Sequence, residues 1–167
     1  DGDDHLDVLT CGWLPSAGMQ LHLNDGAGRF RVSQDSGLGG QRGGVGLVQA
    51  DYDNDGDLDV FVIRGGQPDP EETFERDDGR RGRNSLLRNR GDGSFEDITT
   101  DAGLGQTFAP WSAAAWADYD NDGHVDLYVG VQGDDSRFAD RLYRNQGDGT
   151  FVDVGAQVGV LNGRHAM

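Results

Sequence analysis

The chain of 167 residues contains no lysine, one cysteine and only four glutamates, Glu71, Glu72, Glu75 and Glu96. Each scarcity excludes something. A lone Cys11 excludes an internal disulfide and a thiolate cage for a metal. It flanks an apolar strand pattern and reads as a small packed residue rather than a nucleophile. The 14 basic residues, all arginine, stand against 30 acidic ones for a net charge of −16. That balance argues against nucleic acid and anionic membrane as partners, since phosphate binding needs a basic surface. The run Arg80, Arg81, Arg83 follows Asp77 and Asp78 and reads as a solvated loop. No stretch is long enough to cross a bilayer, and no secretory leader is recognisable. A sustained 3.6-residue apolar period is also missing, so almost no helix is expected.

What the chain has instead is aspartate, 28 glycines and a repeat. Ala50-Asp-Tyr-Asp-Asn-Asp-Gly-Asp-Leu-Asp-Val60 recurs as Ala117-Asp-Tyr-Asp-Asn-Asp-Gly-His-Val-Asp-Leu127. A shorter copy opens the chain as Asp1-Gly-Asp-Asp-His-Leu-Asp-Val8. A second landmark follows each: Leu23-Asn-Asp-Gly-Ala-Gly-Arg-Phe30, Arg88-Asn-Arg-Gly-Asp-Gly-Ser-Phe95 and Arg144-Asn-Gln-Gly-Asp-Gly-Thr-Phe151. Then comes Ser36-Gly-Leu38, Ala102-Gly-Leu104 or Val158-Gly-Val160. The Phe landmarks lie 65 and then 56 residues apart, a period that suits a four-stranded propeller blade and exceeds most helical repeats. Strands are expected at 45–50 and 111–117 before the acidic loops, and at 6–10, 58–63 and 125–131 after them. Residues 86–89 and 95–99 flank a Gly-Asp-Gly turn, a hairpin signal. The polar stretch 64–83, with Pro68 and Pro70, is expected to be an exposed loop and the best candidate for local disorder.

The acidic loops are candidate metal sites. Counting from Asp51, carboxylates fall at positions 1, 3, 5 and 9: Asp51, Asp53, Asp55 and Asp59, with Gly56 at the sharp turn. The other complete loop supplies Asp118, Asp120, Asp122 and Asp126, with Gly123 at the turn. Position 7, Asp57 or His124, is expected to add a backbone carbonyl. An all-oxygen set suits Ca²⁺; zinc wants nitrogen and sulfur, and magnesium resists full dehydration. Like charges about 5 Å apart repel by about 1–3 kcal/mol per pair, which disfavours such crowding without an ion. A merely acidic surface predicts scattered carboxylates, and here they recur at fixed spacings. An EF-hand would need Glu at position 12, where Val62 and Val129 stand. The first copy offers a weaker site from Asp1, Asp3 and Asp7, with Asp4 in place of the glycine. Ala27 replaces Asp92 and Asp148 in the second landmark, so those segments are taken as hairpin turns.

These paired landmarks resemble FG-GAP/VCBS repeats, shared by integrin α-type propellers, and most closely bacterial ASPIC/UnbV and cartilage-acidic-protein-like repeats. Trp116 to Asp126 and Tyr143 to Phe151 carry the likeness, which extends over essentially the whole chain. The resemblance implies an all-β fold, a partial β-propeller of four-stranded antiparallel blades with Asp-x-Asp-x-Asp-Gly-x-x-Asp calcium loops. The expected division is a partial blade at 1–35, blades at 36–100 and 101–155, and the start of another at 156–167. Too few blades to close a ring implies a piece of a longer propeller, or one completed by neighbours, with at least one end packed on another polypeptide.

The implied role is a calcium-binding extracellular or periplasmic (bacterial) scaffold, a protein–protein interaction or adhesion subunit of a larger protein. Its expected partners are other chains or remaining blades, and docking on a membrane complex from outside is compatible with that. The alternative is a non-catalytic or accessory part of a secreted hydrolase or lyase. No catalytic residue is assigned: His5 and His124 sit at loop position 7, and His22 and His165 lack a nucleophile pattern beside them.

Overall fold

The computed structural model describes residues 2–14, 16–65, 83–105, 109–132 and 138–160. Among the described residues, Val-, Leu- and aromatic-rich segments separated by Gly and Asp turns form eleven strands in three antiparallel sheets. The first sheet holds β1 (Val8–Thr10), β2 (Gln20–Asn24) and β3 (Phe30–Val32). In the second, β4 (Gly46–Ala50), β5 (Asp59–Ile63), β6 (Ser85–Asn89) and β7 (Phe95–Asp97) follow one another as a meander. The third repeats that order with β8 (Trp111–Ala117), β9 (Asp126–Val131), β10 (Arg141–Asn145) and β11 (Phe151–Asp153). Among the described residues, helix is confined to a 3₁₀ turn at Leu38–Gly40 and the four-residue α1 (Gly155–Val158). Most of the loop expected at 64–83 and the whole of 164–167 lie outside the described residues.

The alternation of a strand explains how the sheets stack. All five residues of β5 are buried, so both faces of the second sheet are covered. Val60 and Val62, with Leu87, pack against Met19, Leu21, Leu23 and Leu38 from the first sheet and its following turn. Phe61 and Ile63, with Leu86, pack against Trp111, Leu127, Val129, Tyr143 and Phe151 of the third. The continuous apolar run of β5 thus serves two interfaces, as expected of a strand buried on both faces. Trp116 meets Phe61 edge-on at 6.3 Å and Phe151 at 6.1 Å, joining the second interface beside an acidic loop.

The x-Gly-Leu landmark acquires a physical role. The carbonyl of Ser36 accepts the Phe95 N–H at 2.9 Å, and that of Ala102 accepts the Phe151 N–H at 2.9 Å. The segment leaving one sheet therefore latches onto the last strand of the next. Leu38 and Leu104 are buried beside these latches. Close approach needs the glycine: Gly37 has φ 74°, and a Cβ there would lie 2.3 Å from the Phe95 carbonyl oxygen. Gly37→Ala is expected to lower stability by about 1–3 kcal/mol in urea unfolding, from backbone strain and the clash. Gly39→Ala, with open space around its Cβ, is the control. Equal midpoints for the two variants would contradict the latch.

Candidate metal centre

Each complete acidic loop joins the first two strands of a four-stranded sheet, 51–58 between β4 and β5 and 118–125 between β8 and β9. The loops fold by hydrogen bonding to their own carboxylates. Asp51 accepts the N–H of Asp55 on one oxygen and of Gly56 on the other, both at 3.0 Å. Asp55 accepts the Asp57 N–H at 2.9 Å. Asp118 accepts from Asp122 and Gly123 at 3.1 and 3.0 Å, and Asp122 from His124 at 3.0 Å. Such short-range side-chain-to-backbone bonds are why aspartate, rather than glutamate, builds the turn. Position 4 takes the left-handed conformation in both, Asn54 at φ 59° and Asn121 at φ 60°, a region asparagine tolerates.

The last carboxylate of each loop is the most constrained. Asp59 is 0% exposed and accepts the Tyr52 N–H at 3.3 Å and the Asn89 N–H at 2.9 Å. Asp126 is 1% exposed and accepts from Tyr119 at 3.1 Å and Asn145 at 2.8 Å. Each oxygen therefore holds one N–H, one from the loop and one from the end of the third strand. Asn89 and Asn145 also donate side-chain Nδ2 to Leu58 and Val125 carbonyls, at 3.3 and 3.1 Å. The Asn of the second landmark thus belongs to the acidic loop.

Carboxylate oxygens of Asp51, Asp53 and Asp59 lie within 4.8 Å of one another, as do those of Asp118, Asp120 and Asp126. Three oxygens each about 2.4 Å from one centre are at most about 4.8 Å apart, so both triads are close enough to share one calcium ion. The donor set is oxygen only. Asp53 Oδ1 is buried without a hydrogen-bond partner, a cost that the charge of Arg88 offsets in part while the charges of Asp55 and Asp51 add to it.

The other expected ligands stand differently. Asp55 and Asp122 are outside the triads, each engaged with the backbone of position 7. At position 7 the side chains rest over the neighbouring hairpin: a Cβ on Gly91 would lie 2.6 Å from Asp57 Oδ2, and one on Gly147 2.6 Å from His124 Nε2. In the first copy Asp1 lies outside the described residues. Asp4 takes φ 66° where Gly56 has φ 95°, so the same turn forms with aspartate in place of glycine. Asp3 accepts the His5 N–H at 2.9 Å and Asp7 the Asn24 N–H at 2.8 Å, repeating the pattern of the complete loops. Asp92 and Asp148 in the Gly-Asp-Gly turns accept from Ser94 and Thr150, each through backbone and hydroxyl.

Burial pushes the Asp59 carboxyl up to about 7, against the pull of the N–H donors Asn89 and Tyr52. Burial raises Asp126 likewise, and burial followed by the charge of Asp55 raises Asp53. A carboxyl raised in the folded state from its ordinary 3.8 leaves stability intact at low pH. As pH rises toward 7 the unfolded chain releases the proton that the folded chain holds, and stability declines. In chelator, stability is expected to fall on the order of 1–3 kcal/mol between pH 5 and 7.5, and Asp59→Asn to flatten that decline. Melting curves across this range check it, and a slope untouched by Asp59→Asn contradicts it.

The FG-GAP-like repeat family model matches residues 1–62 and 76–129, and the chain belongs to that family. It is also similar to cartilage acidic protein 1 of Xenopus tropicalis, with 29% identity over 99 residues. That match takes in 59% of this chain and 13% of the relative's length. Among the described residues, no helix is long and apolar enough to cross a membrane.

Proposed function

We propose that this chain is a calcium-stabilised, non-enzymatic interaction or adhesion module that works outside the cytoplasm, with its sheets serving as propeller blades. The observation that carries the calcium assignment is the orphaned Asp53 Oδ1, buried beside Asp51 and Asp59 in an oxygen-only cluster of calcium span. Asp51, Asp53 and Asp59 would hold one ion and Asp118, Asp120 and Asp126 a second, with carbonyls of Asp57 and His124 completing each shell. Asp55 and Asp122 would join by turning toward the ion, or through water. Asp3 and Asp7 would offer a weaker third position. The ion's chemistry is structural: it neutralises carboxylates that otherwise repel one another at the junction of two strands.

A scaffold role accords with the family and with the way the second sheet packs against a neighbour on each face. Blades are assigned to 36–100 and 101–155, with 1–35 and 156–167 parts of adjoining ones. Partners are further blades or other protein chains, in an extracellular or bacterial periplasmic setting. A cation that binds only the folded state stabilises by about 2.7 kcal/mol at a hundred times its Kd. Chelation is therefore expected to lower the melting temperature, calcium to restore it, and Asp51→Ala or Asp118→Ala each to remove part of that gain. A melt indifferent to both chelator and calcium would overturn the assignment.

A further inference from the structure

Asn145 is 1% exposed and touches both acidic loops. Its backbone N–H donates to Asp126 Oδ1 at 2.8 Å, and its Nδ2 to the Val125 carbonyl of the same loop at 3.1 Å. The second Nδ2 hydrogen goes to the Tyr52 carbonyl, in the other loop, at 2.8 Å. Its Oδ1 accepts the Gly147 N–H at 3.0 Å, which fixes the orientation of the amide. Asn89 makes the corresponding own-loop pair, to Asp59 and Leu58; Asn145 adds the bond across.

The Tyr52 carbonyl belongs to the peptide plane that leads into Asp53, the residue with the orphaned oxygen. The Tyr52 N–H is held by Asp59, and its ring packs on Phe151 with centroids 5.7 Å apart. Asn54 Nδ2 lies 3.4 Å from His124 Nδ1, a further contact between the loops. The loop at 51–59 is therefore shaped partly by the third sheet, through a residue anchored on a carboxylate of the other loop.

Resting on the cation sites proposed above, we propose that Asn145 is a positioning residue that couples them. An ion at Asp118, Asp120 and Asp126 fixes Asp126, hence Asn145, hence the Tyr52–Asp53 peptide, and raises the calcium affinity of the first loop. By linkage the effect of the first site on the second is equal. Repulsion between two cations through solvent has the opposite sign and is screened at 0.15 M salt, so the direction of coupling separates the two effects.

The test is calorimetric titration of the full chain with calcium at 0.15 M salt, beside Asp53→Asn and Asp120→Asn, which each leave one loop intact. The product of the two dissociation constants of the native chain is expected to lie about five-fold or more below the product for the two single-loop variants. Adding Asn145→Ala to all three should bring this ratio to about one while both loops still bind. Amide exchange at residues 52–55 supplies a readout independent of that substitution. In Asp53→Asn it should slow when calcium fills the other loop. No calcium uptake by the native chain would overturn both the sites and their coupling. Two independent sites, a ratio that survives Asn145→Ala, or exchange unmoved by calcium would overturn the coupling alone.

Discussion

Asp59 and Asp126 bring a carboxylate to almost zero exposure at the place where an acidic loop becomes a strand. A buried charge must find partners, and each oxygen finds one N–H: from loop position 2 and from the asparagine that ends the third strand. This pair of bonds holds the loop closed, sets the start of β5 or β9, and pins the following hairpin to both. The three-strand unit is thus organised around one carboxylate. The surrounding aspartates lie close enough to share an ion because that carboxylate fixes the far end of their loop.

Much of this was legible in the sequence. The strands entering and leaving the loops fall within one or two residues of their expected bounds, because turns rich in Gly and Asp delimit runs of Val, Leu and aromatic residues. The spacing puts aspartates at loop positions 1, 3, 5 and 9, and the structure brings together the oxygens of positions 1, 3 and 9. The role of Asn89 and Asn145 is not legible in the sequence: the pattern reads as a hairpin turn, and their link to Asp59 and Asp126 spans 30 and 19 residues. Nor did spacing reveal that Asp55 and Asp122 are engaged with backbone N–H groups, because a position in a loop does not specify a rotamer. The recurrence of Asn at the same place in all three copies was the available signal.

The repeat also shows how identical motifs acquire different surroundings. Tyr52 and Tyr119 occupy the same loop position, yet Tyr52 is 2% exposed and Tyr119 38%. The difference lies in what packs against each loop. Phe151 and Asn145 of the third sheet cover Tyr52. The covered Tyr52 leads directly into Asp53, whose Oδ1 is shut from solvent. Stacking one sheet on the next therefore does more than bury Phe61 and Ile63. It lowers the local dielectric around a neighbouring charge cluster and strengthens both its internal repulsion and its attraction for a cation.

A carboxylate oxygen has two lone pairs, so accepting one N–H leaves it able to face a cation. Asp51 with the Asp55 and Gly56 N–H groups, and Asp59 with those of Tyr52 and Asn89, are held in this way. An ion entering the first loop need not break the bonds that hold Asp51 and Asp59, which lowers the ordering cost of binding at those two residues. The cost falls on the ion-free state, where converging carboxylates are held by backbone donors with Arg88 the cation acting on Asp53, and it surfaces in the raised proton affinity of Asp59 and Asp53. Proton and cation then compete for the same buried oxygens. The preorganisation that favours an ion is therefore also what makes the loop sensitive to its absence.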